Sequence, residues 1–463
     1  MCCLTHKTAH RMDNRLLHIT VQRPFYQERG LIRMADRYTV DHLYSKTPRD
    51  LGLYVHIPFC VRKCNYCDFL SAPAAGEVQR QYTEAVITDI ESYRGKAECY
   101  RVPSIFFGGG TPSCIDAEYI KRIMEALFSV FYIDGDRLEA TIEVNPGTVT
   151  EDKLLTYRAA GFNRLSFGLQ SADNHELKLL GRIHTYEEFE DNYKAAREAG
   201  FNNINIDLMS ALPRQTLQSW EYTLNKVLDL EPEHISAYSL IIEEGTDFYE
   251  CYREGAERHH ELPDEETDRK MYQHTKEILR SRGYRQYEIS NYARNGYQCA
   301  HNCNYWNGTE YLGFGIGAAS LLNGARFSKL QNIAHYIQKC ALMKYNALSD
   351  DDTAKKEAGC ADIDIKSEAS GTDRSIIDNY DTLSVAQRME EFMFLGLRRC
   401  EGISKSAFLR RFGIAAETVY QSVLKDLTGK KLMEDKGDRL RLTDYGMDIS
   451  NTVLCEFLMD ITQ

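Results

Sequence analysis

Between residues 51 and 241, six short β-rich runs alternate with longer amphipathic stretches, and this rhythm excludes most folds open to a long chain. The strand candidates are 51–57, 104–107, 140–145, 163–168, 203–208 and 234–241. Helix candidates lie near 76–94, 115–130, 150–160, 172–200 (in two pieces) and 214–230. Alternation of this kind builds right-handed βαβ units on a parallel sheet. Six units are too few for a closed eight-stranded barrel. The expected fold is therefore α/β, an open (β/α)6 partial barrel with its ligands at the C-terminal ends of the strands.

After residue 245 the rhythm changes. A charged helix (264–282) leads to a β-like run (284–292) and then to a Cys/His/aromatic/Gly-rich stretch over 299–317. Residues 349–374 are acidic and hold almost nothing bulky, which reads as a mobile loop or linker. The tail reads as helix, helix (404–411), helix (415–428), hairpin (432–443) and final helix, an order similar to a winged helix. The alternative is a packing module with no DNA role. The expected divisions are an N-terminal extension (1–45), the partial barrel (46–250), a barrel-completing region (251–348), an acidic linker (349–383) and a winged-helix-like α+β domain (384–463).

Composition narrows the function. The 463 residues carry a net charge of -12, which disfavours nucleic acid as a partner and favours the packing role for the tail. No apolar run approaches twenty residues and no apolar core of a secretory signal precedes the first strand, so neither an integral membrane segment nor secretion is expected. The 14 cysteines, clustered in a large chain, point to metal chemistry in a reducing cytosol rather than to disulfides. The expected location is cytoplasmic.

The first strand runs directly into Cys60-Val-Arg-Lys-Cys64-Asn-Tyr-Cys67. A Cys-x3-Cys-x2-Cys loop lets three thiolates converge on three corners of a [4Fe–4S] cube. The open fourth iron could chelate the amino and carboxylate groups of S-adenosylmethionine (SAM) and pass an electron to its sulfonium. Homolysis would then give a 5′-deoxyadenosyl radical. A structural zinc site is the alternative, but it normally takes four ligands.

One βα unit later comes Phe107-Gly108-Gly109-Gly110-Thr111-Pro112, whose glycines permit close backbone approach to a small polar ligand. A tight turn is the plainer explanation. Polar residues then recur at strand ends: Glu143, Gln170 and Asp207, with Arg182 in the fourth helical region. Singly, Asp207 could be a helix cap and Arg182 a surface ion pair. Together at one rim they would supply a carboxylate partner, an amine partner and ribose acceptors.

From LYVHIPFCVRKCNYCDF through FFGGGTPS, IEVNP, LSFGLQS and NIDLM, the chain resembles the oxygen-independent coproporphyrinogen dehydrogenase family of radical SAM proteins. The resemblance is specific over about 50–320 and looser in the tail. It implies SAM-site positions at Tyr54, Tyr66, Gly109, Gly110, Thr111, Glu143, Gln170, Arg182, Asp207 and Ile241, beside the cluster ligands Cys60, Cys64 and Cys67. The dehydrogenase branch has a further cysteine two residues after the third ligand. Here Asp68-Phe69 follows Cys67, which looks like the haem-chaperone branch.

His301-Asn302-Cys303-Asn304-Tyr305-Trp306 is similar to that branch's His-Asn-x-x-Tyr-Trp motif, associated with haem. Imidazole is a common axial ligand, and the aromatics could pack on a macrocycle. Cys299 and Cys303 offer thiolate alternatives; a core cluster of aromatics around a hydrogen-bonded histidine is the plainer arrangement. No Cys-x-x-Cys-His motif indicates covalent haem. The resemblance implies a haem chaperone with cluster, SAM and haem as cofactors. Its implied partners are a haem-acceptor protein and an electron donor such as a flavodoxin or ferredoxin. The dehydrogenase reaction is the runner-up. About fifty residues precede the first strand where such families start close to it, and Met34 could be the true start.

Overall fold

The computed structural model describes residues 48–349 and 375–459. The expected extension over 1–45 and the acidic segment over 350–374 lie outside the described residues. Strands β1 (Arg49–Ile57), β2 (Tyr100–Gly109), β3 (Glu139–Val144), β4 (Arg164–Gln170), β5 (Ile204–Ser210) and β6 (His234–Ser239) stand side by side in chain order, all parallel. Every strand expected over 51–241 is present, several a few residues longer or shorter than read.

Alternation along each strand sorts the residues onto two faces. Leu53, Val55, Ile105, Phe107, Ile142, Leu165, Phe167, Ile206 and Ile235 face outward into the main core beneath the helices. Tyr54, His56, Ser104, Glu143, Arg164, Ser166, Asp207 and His234 alternate with them and line the concave face. Helix starts are set by side-chain caps, including a full capping box at Thr185/Glu188 and an Asp116 cap on Glu118 N.

The sheet extends beyond six strands at both edges. The β-like run at 284–292 is a small antiparallel pair, β7 (Arg285–Gln286) and β8 (Asn291–Ala293), joined to β6. On the other side β9 (Glu310–Phe314) pairs parallel with β1, followed by antiparallel β10 (Ala319–Leu322), β11 (Ala325–Lys329) and β12 (Ile377–Thr382). The last strand corrects the linker boundary, since Ile377–Thr382 was read as linker. It is an edge strand, largely exposed and polar, with no alternating apolar side to mark it.

The tail folds around its own core of Met393, Leu397, Phe408, Leu427 and Phe457. The helices Val385–Gly396, Lys405–Phe412 and Gln421–Gly429 accompany a three-stranded sheet of β13 (Ile403–Ser404), β15 (Arg439–Leu442) and β14 (Met433–Lys436), in that order. Among the described residues, no helix is long and apolar enough to cross a membrane.

Candidate cluster and cofactor site

Parallel strands deliver all their C-terminal ends to one rim, and the cysteine loop crosses it. The Asn65 amide donates to Leu180 O (3.0 Å), and its side chain donates to Leu179 O (3.0 Å). Phe248 N in turn donates to Asn65 O at 2.9 Å. From the other side Gly110 N donates to Ile57 O (2.9 Å) and Thr111 N to Phe59 O (2.7 Å). The loop is thus tied to the end of β2 and to the helices that follow β4 and β6.

His56 braces it from below. Its Nε2 lies 2.9 Å from Leu70 O, and its Nδ1 3.0 Å from the Tyr54 hydroxyl. A carbonyl only accepts, so Nε2 carries the proton and Nδ1 accepts from Tyr54. Burial lowers the imidazole to about 4, which keeps it neutral.

The thiols of Cys60, Cys64 and Cys67 are all partly exposed. Cys60 Sγ lies 3.5 Å from Thr111 Oγ1, and Arg182 Nη1 donates to Cys64 Sγ at 3.5 Å. Burial pushes the Cys67 thiol up to about 11, so a bound iron would have to displace its proton. Among the described residues, no three His, Cys, Asp or Glu side chains are gathered tightly enough for one metal ion. Thiols spread around a loop suit the separate irons of a cube better than one zinc, which needs sulfurs at about 2.3 Å.

The glycines of the second loop pack closely against their surroundings. Gly109 has φ +116°, and a Cβ there would sit 2.6 Å from the His56 ring. A Cβ on Gly110 would meet Phe59 O at 2.6 Å and Cys60 Sγ at 3.0 Å. Their close approach is to the cysteine loop itself.

Around this loop the rim gathers its polar groups. Glu143 Oε2 accepts from Gly109 N at 3.2 Å, and burial pushes its carboxyl up to about 7, Asp207 adding to the shift. Arg182 also donates through Nη2 to Asn145 Oδ1 (2.9 Å) and to Gly168 O. Asp207 accepts from Ser166 Oγ (3.1 Å) and Asn205 Nδ2 (2.8 Å). Gln170 adopts φ 76°, a left-handed conformation costly for a side-chain residue, and accepts from the Tyr238 hydroxyl at 3.1 Å. Tyr66 packs against Phe248, and burial drives its phenol well above the ordinary range. Ile241, just past β6, is 52% exposed.

Two expected site residues have their side chains engaged within the fold. Tyr54 is buried, stacked with Phe106, and spends its hydroxyl on His56. His301 lies further away. It sits on the helix Ala300–Asn307 at the N-terminal ends of the strands, the opposite end of the barrel, and is 1% exposed. Ser104 Oγ lies 3.0 Å from its Nδ1 and the Tyr305 hydroxyl 2.8 Å from its Nε2. Glu139 caps that helix, accepting from Ala300 N (2.9 Å) and His301 N (3.1 Å). Burial lowers the imidazole to about 3. Both ring nitrogens are occupied, so the plainer arrangement, a hydrogen-bonded core histidine, is what this conformation holds. Burial also raises the thiols of Cys299 and Cys303, leaving them poor thiolate alternatives.

Reading the sequence passed over His56, Asn65, Asn145, His184 and Tyr238. Period-two spacing would have flagged two of them, since His56 follows Tyr54 and Asn145 follows Glu143 on the same strand face. His184 carries a different signature. Its Nε2 is buried with no partner, and burial, with Arg182 adding, lowers the imidazole to about 3.

Comparison with known proteins agrees with this geometry. Residues 54–227 match the Radical SAM superfamily model, and 383–449 match the HemN C-terminal domain. A Bacillus subtilis protein named Heme chaperone HemW is 34% identical over 408 residues, covering 88% of this chain and 99% of that one. Its Escherichia coli namesake is 39% identical over 269 residues, 58% of this chain and 69% of that one. Among solved structures, coproporphyrinogen III oxidase (HemN) from Escherichia coli superposes with a TM-score of 0.71 at 22% identity, over 94% of each chain. That likeness bears on the fold alone.

Proposed function

The chain belongs to the HemW family of radical SAM proteins, and from that premise we propose that it is a haem chaperone. In this reading it binds a [4Fe–4S] cluster, SAM and haem, and delivers haem to an acceptor protein in the cytoplasm. Cys60, Cys64 and Cys67 would hold the cluster. The chemistry a reduced cluster supplies when bound is one electron to a sulfonium, drawn from a donor such as a flavodoxin or ferredoxin.

The chain's own side chains do the rest. The Glu143 carboxylate takes the ligand's ammonium, and the Arg182 guanidinium its carboxylate. Asp207 and Gln170 accept from ribose hydroxyls. Gly109, Gly110 and Thr111 seat the cysteine loop, and Tyr66, Tyr54 and Ile241 complete the implied set. Arg182 bridges both parts, touching Cys64 Sγ while its other nitrogen is anchored on Asn145.

The observation that carries the chaperone reading over a porphyrinogen dehydrogenase is Phe69, which stands where the resemblance implies a further cysteine for the enzyme. Two assays on anaerobically reconstituted protein test it. Haem titration should produce a Soret band. Incubation with coproporphyrinogen III, excess SAM and a strong reductant should yield no decarboxylated product. Product at a catalytic rate would overturn the proposal in favour of the dehydrogenase.

A further inference from the structure

A chain of polar groups crosses the inside of the barrel from rim to floor, each within hydrogen-bonding distance of the next. At the rim Asp207 Oδ1 accepts from Asn205 Nδ2 at 2.8 Å. Asn205 Oδ1 lies 2.6 Å from His234 Nδ1, and His234 Nε2 lies 2.8 Å from the Tyr287 hydroxyl. That hydroxyl accepts from Cys299 N at 3.3 Å. Cys299 is the N-cap of the helix Ala300–Asn307, which carries His301. All four groups between the carboxylate and that helix are buried.

The rim sets the direction of the whole chain. A carboxylate only accepts, so Asn205 turns its amide nitrogen to Asp207 and its oxygen to His234. That oxygen requires the imidazole proton on Nδ1, which leaves Nε2 to accept from the Tyr287 hydroxyl. The hydroxyl, having donated, keeps its lone pairs for the Cys299 amide. Every group therefore donates toward Asp207. The side contacts agree: Asn205 Nδ2 also donates to Ser166 Oγ (2.7 Å), which donates to Asp207 Oδ2 (3.1 Å), and Ser236 Oγ donates to Asn205 Oδ1 (3.1 Å). Burial, with Arg164 adding, holds the His234 imidazole well below its ordinary value, so it stays neutral and fills both roles.

Such a chain is a costly way to fill a core. The other face of the same strands is packed with Leu165, Ile206 and Ile235, and apolar side chains would fill the inside as well. What a fully satisfied polar network adds is a single fixed arrangement, its aligned donors strengthening one another. Here it fixes two ends. One is the carboxylate at the rim, the other the first amide of the floor helix. The Tyr287 carbonyl also accepts from Cys400 N of the C-terminal domain at 3.0 Å, so barrel, floor helix and tail meet at one residue.

We propose that His234 and Tyr287 are positioning residues of the SAM site: through Asn205 they aim the Asp207 carboxylate at the ribose, and through Cys299 they tie SAM occupancy to the floor helix that carries the haem-associated motif. This rests on the reading above in which Asp207 accepts from the ribose. A carboxylate offers about four lone-pair sites, and Ser166 and Asn205 leave room on Asp207 for a ribose hydroxyl. SAM thus joins the chain without breaking it. A chain already in place presents Asp207 with no further ordering, and SAM stabilises the chain, and with it the start of the floor helix, by the same amount.

SAM titrations of cluster-loaded full-length protein, followed by calorimetry, test the assignment. Tyr287→Phe removes one oxygen remote from the rim, and His234→Leu interrupts the chain. Each should weaken SAM binding at least about fivefold with iron and sulfide content unchanged. His234→Gln keeps one donor and one acceptor and should recover most of the loss, which a packing defect alone would not allow. In wild-type protein SAM should slow amide hydrogen exchange over 299–303, and in Tyr287→Phe it should not. Because Tyr287 acts through Asp207, its effect on SAM affinity should largely vanish on an Asp207→Asn background. Additive losses in Asp207→Asn/Tyr287→Phe, or wild-type SAM affinity in Tyr287→Phe, would overturn the assignment while leaving the SAM site standing. Unchanged SAM affinity in Asp207→Asn would overturn both.

Discussion

Replacing Arg182 by alanine probes the rim at the point where cluster and SAM would meet. The guanidinium makes three contacts, to Cys64 Sγ at 3.5 Å, to Asn145 Oδ1 at 2.9 Å and to Gly168 O. Truncation leaves Gly168 O, on a buried glycine, without that donor, which costs about 1–3 kcal/mol of stability. It also leaves the ligand's carboxylate unpaired. A fully desolvated partner would cost about 2–5 kcal/mol, but Arg182 is partly exposed, so screening places the effect at the lower end. The expected weakening of SAM binding is therefore about 2 kcal/mol, roughly thirtyfold. Calorimetry on reconstituted protein measures it, with iron and sulfide content as the control. Arg182→Lys keeps the charge but not the fork and should fall between. Unaltered SAM affinity in Arg182→Ala, with a full cluster, would refute the reasoning and reduce Arg182 to a brace between β4 and the cysteine loop.

Three further outcomes are expected. Cys64→Ser should abolish the anaerobic iron–sulfur spectrum, whereas Cys114→Ser, outside the loop, should keep it; full iron and sulfide in Cys64→Ser would void the ligand assignment. Glu143, raised to about 7 from an ordinary 4.5, favours its protonated form in the fold. Its contribution to stability is complete below pH 4.5 and lost as pH rises through 7. SAM affinity should rise over the same interval as the carboxylate ionises, and both trends should flatten in Glu143→Gln. Lys329 and Asp89, 1% and 0% exposed, pair at 2.7 Å, and Tyr336 donates to the same carboxylate at 2.8 Å. Lys329→Met should cost about 3–5 kcal/mol in urea unfolding by leaving Asp89 buried and uncompensated, and Lys329→Met/Asp89→Leu should recover most of it.

The barrel was legible because its signal is repetitive. Six strands with apolar residues on one face, each followed by a helix, announce a parallel sheet before any motif is read. The cysteine loop was legible because three soft ligands at fixed spacing directly after a strand have few other uses. The strands β9 to β12 were not legible. They are four to six residues long, and β12 is an exposed polar edge whose pairing comes entirely from the neighbouring backbone. His184 and Asn145 were missed because what marks each of them is a partner, or the lack of one, across the fold. His301 shows the same limit. A motif names a residue type, but the hydrogen bonds of Ser104 and Tyr305 decide whether its nitrogens are free.

The two ends of the concave face differ in a way that sorts structure from chemistry. Toward the N-terminal ends of the strands, Ser104, Arg164, Asn205, His234 and His301 are all buried, and most bond one another or the floor helix. At the C-terminal ends Glu143, Arg182, Asp207, Tyr66 and Tyr238 keep partial exposure on otherwise buried strands. A closed floor, most of whose polar groups bond one another, stabilises the sheet. An open, polar rim beside three thiols free of disulfides is where ligands can be exchanged.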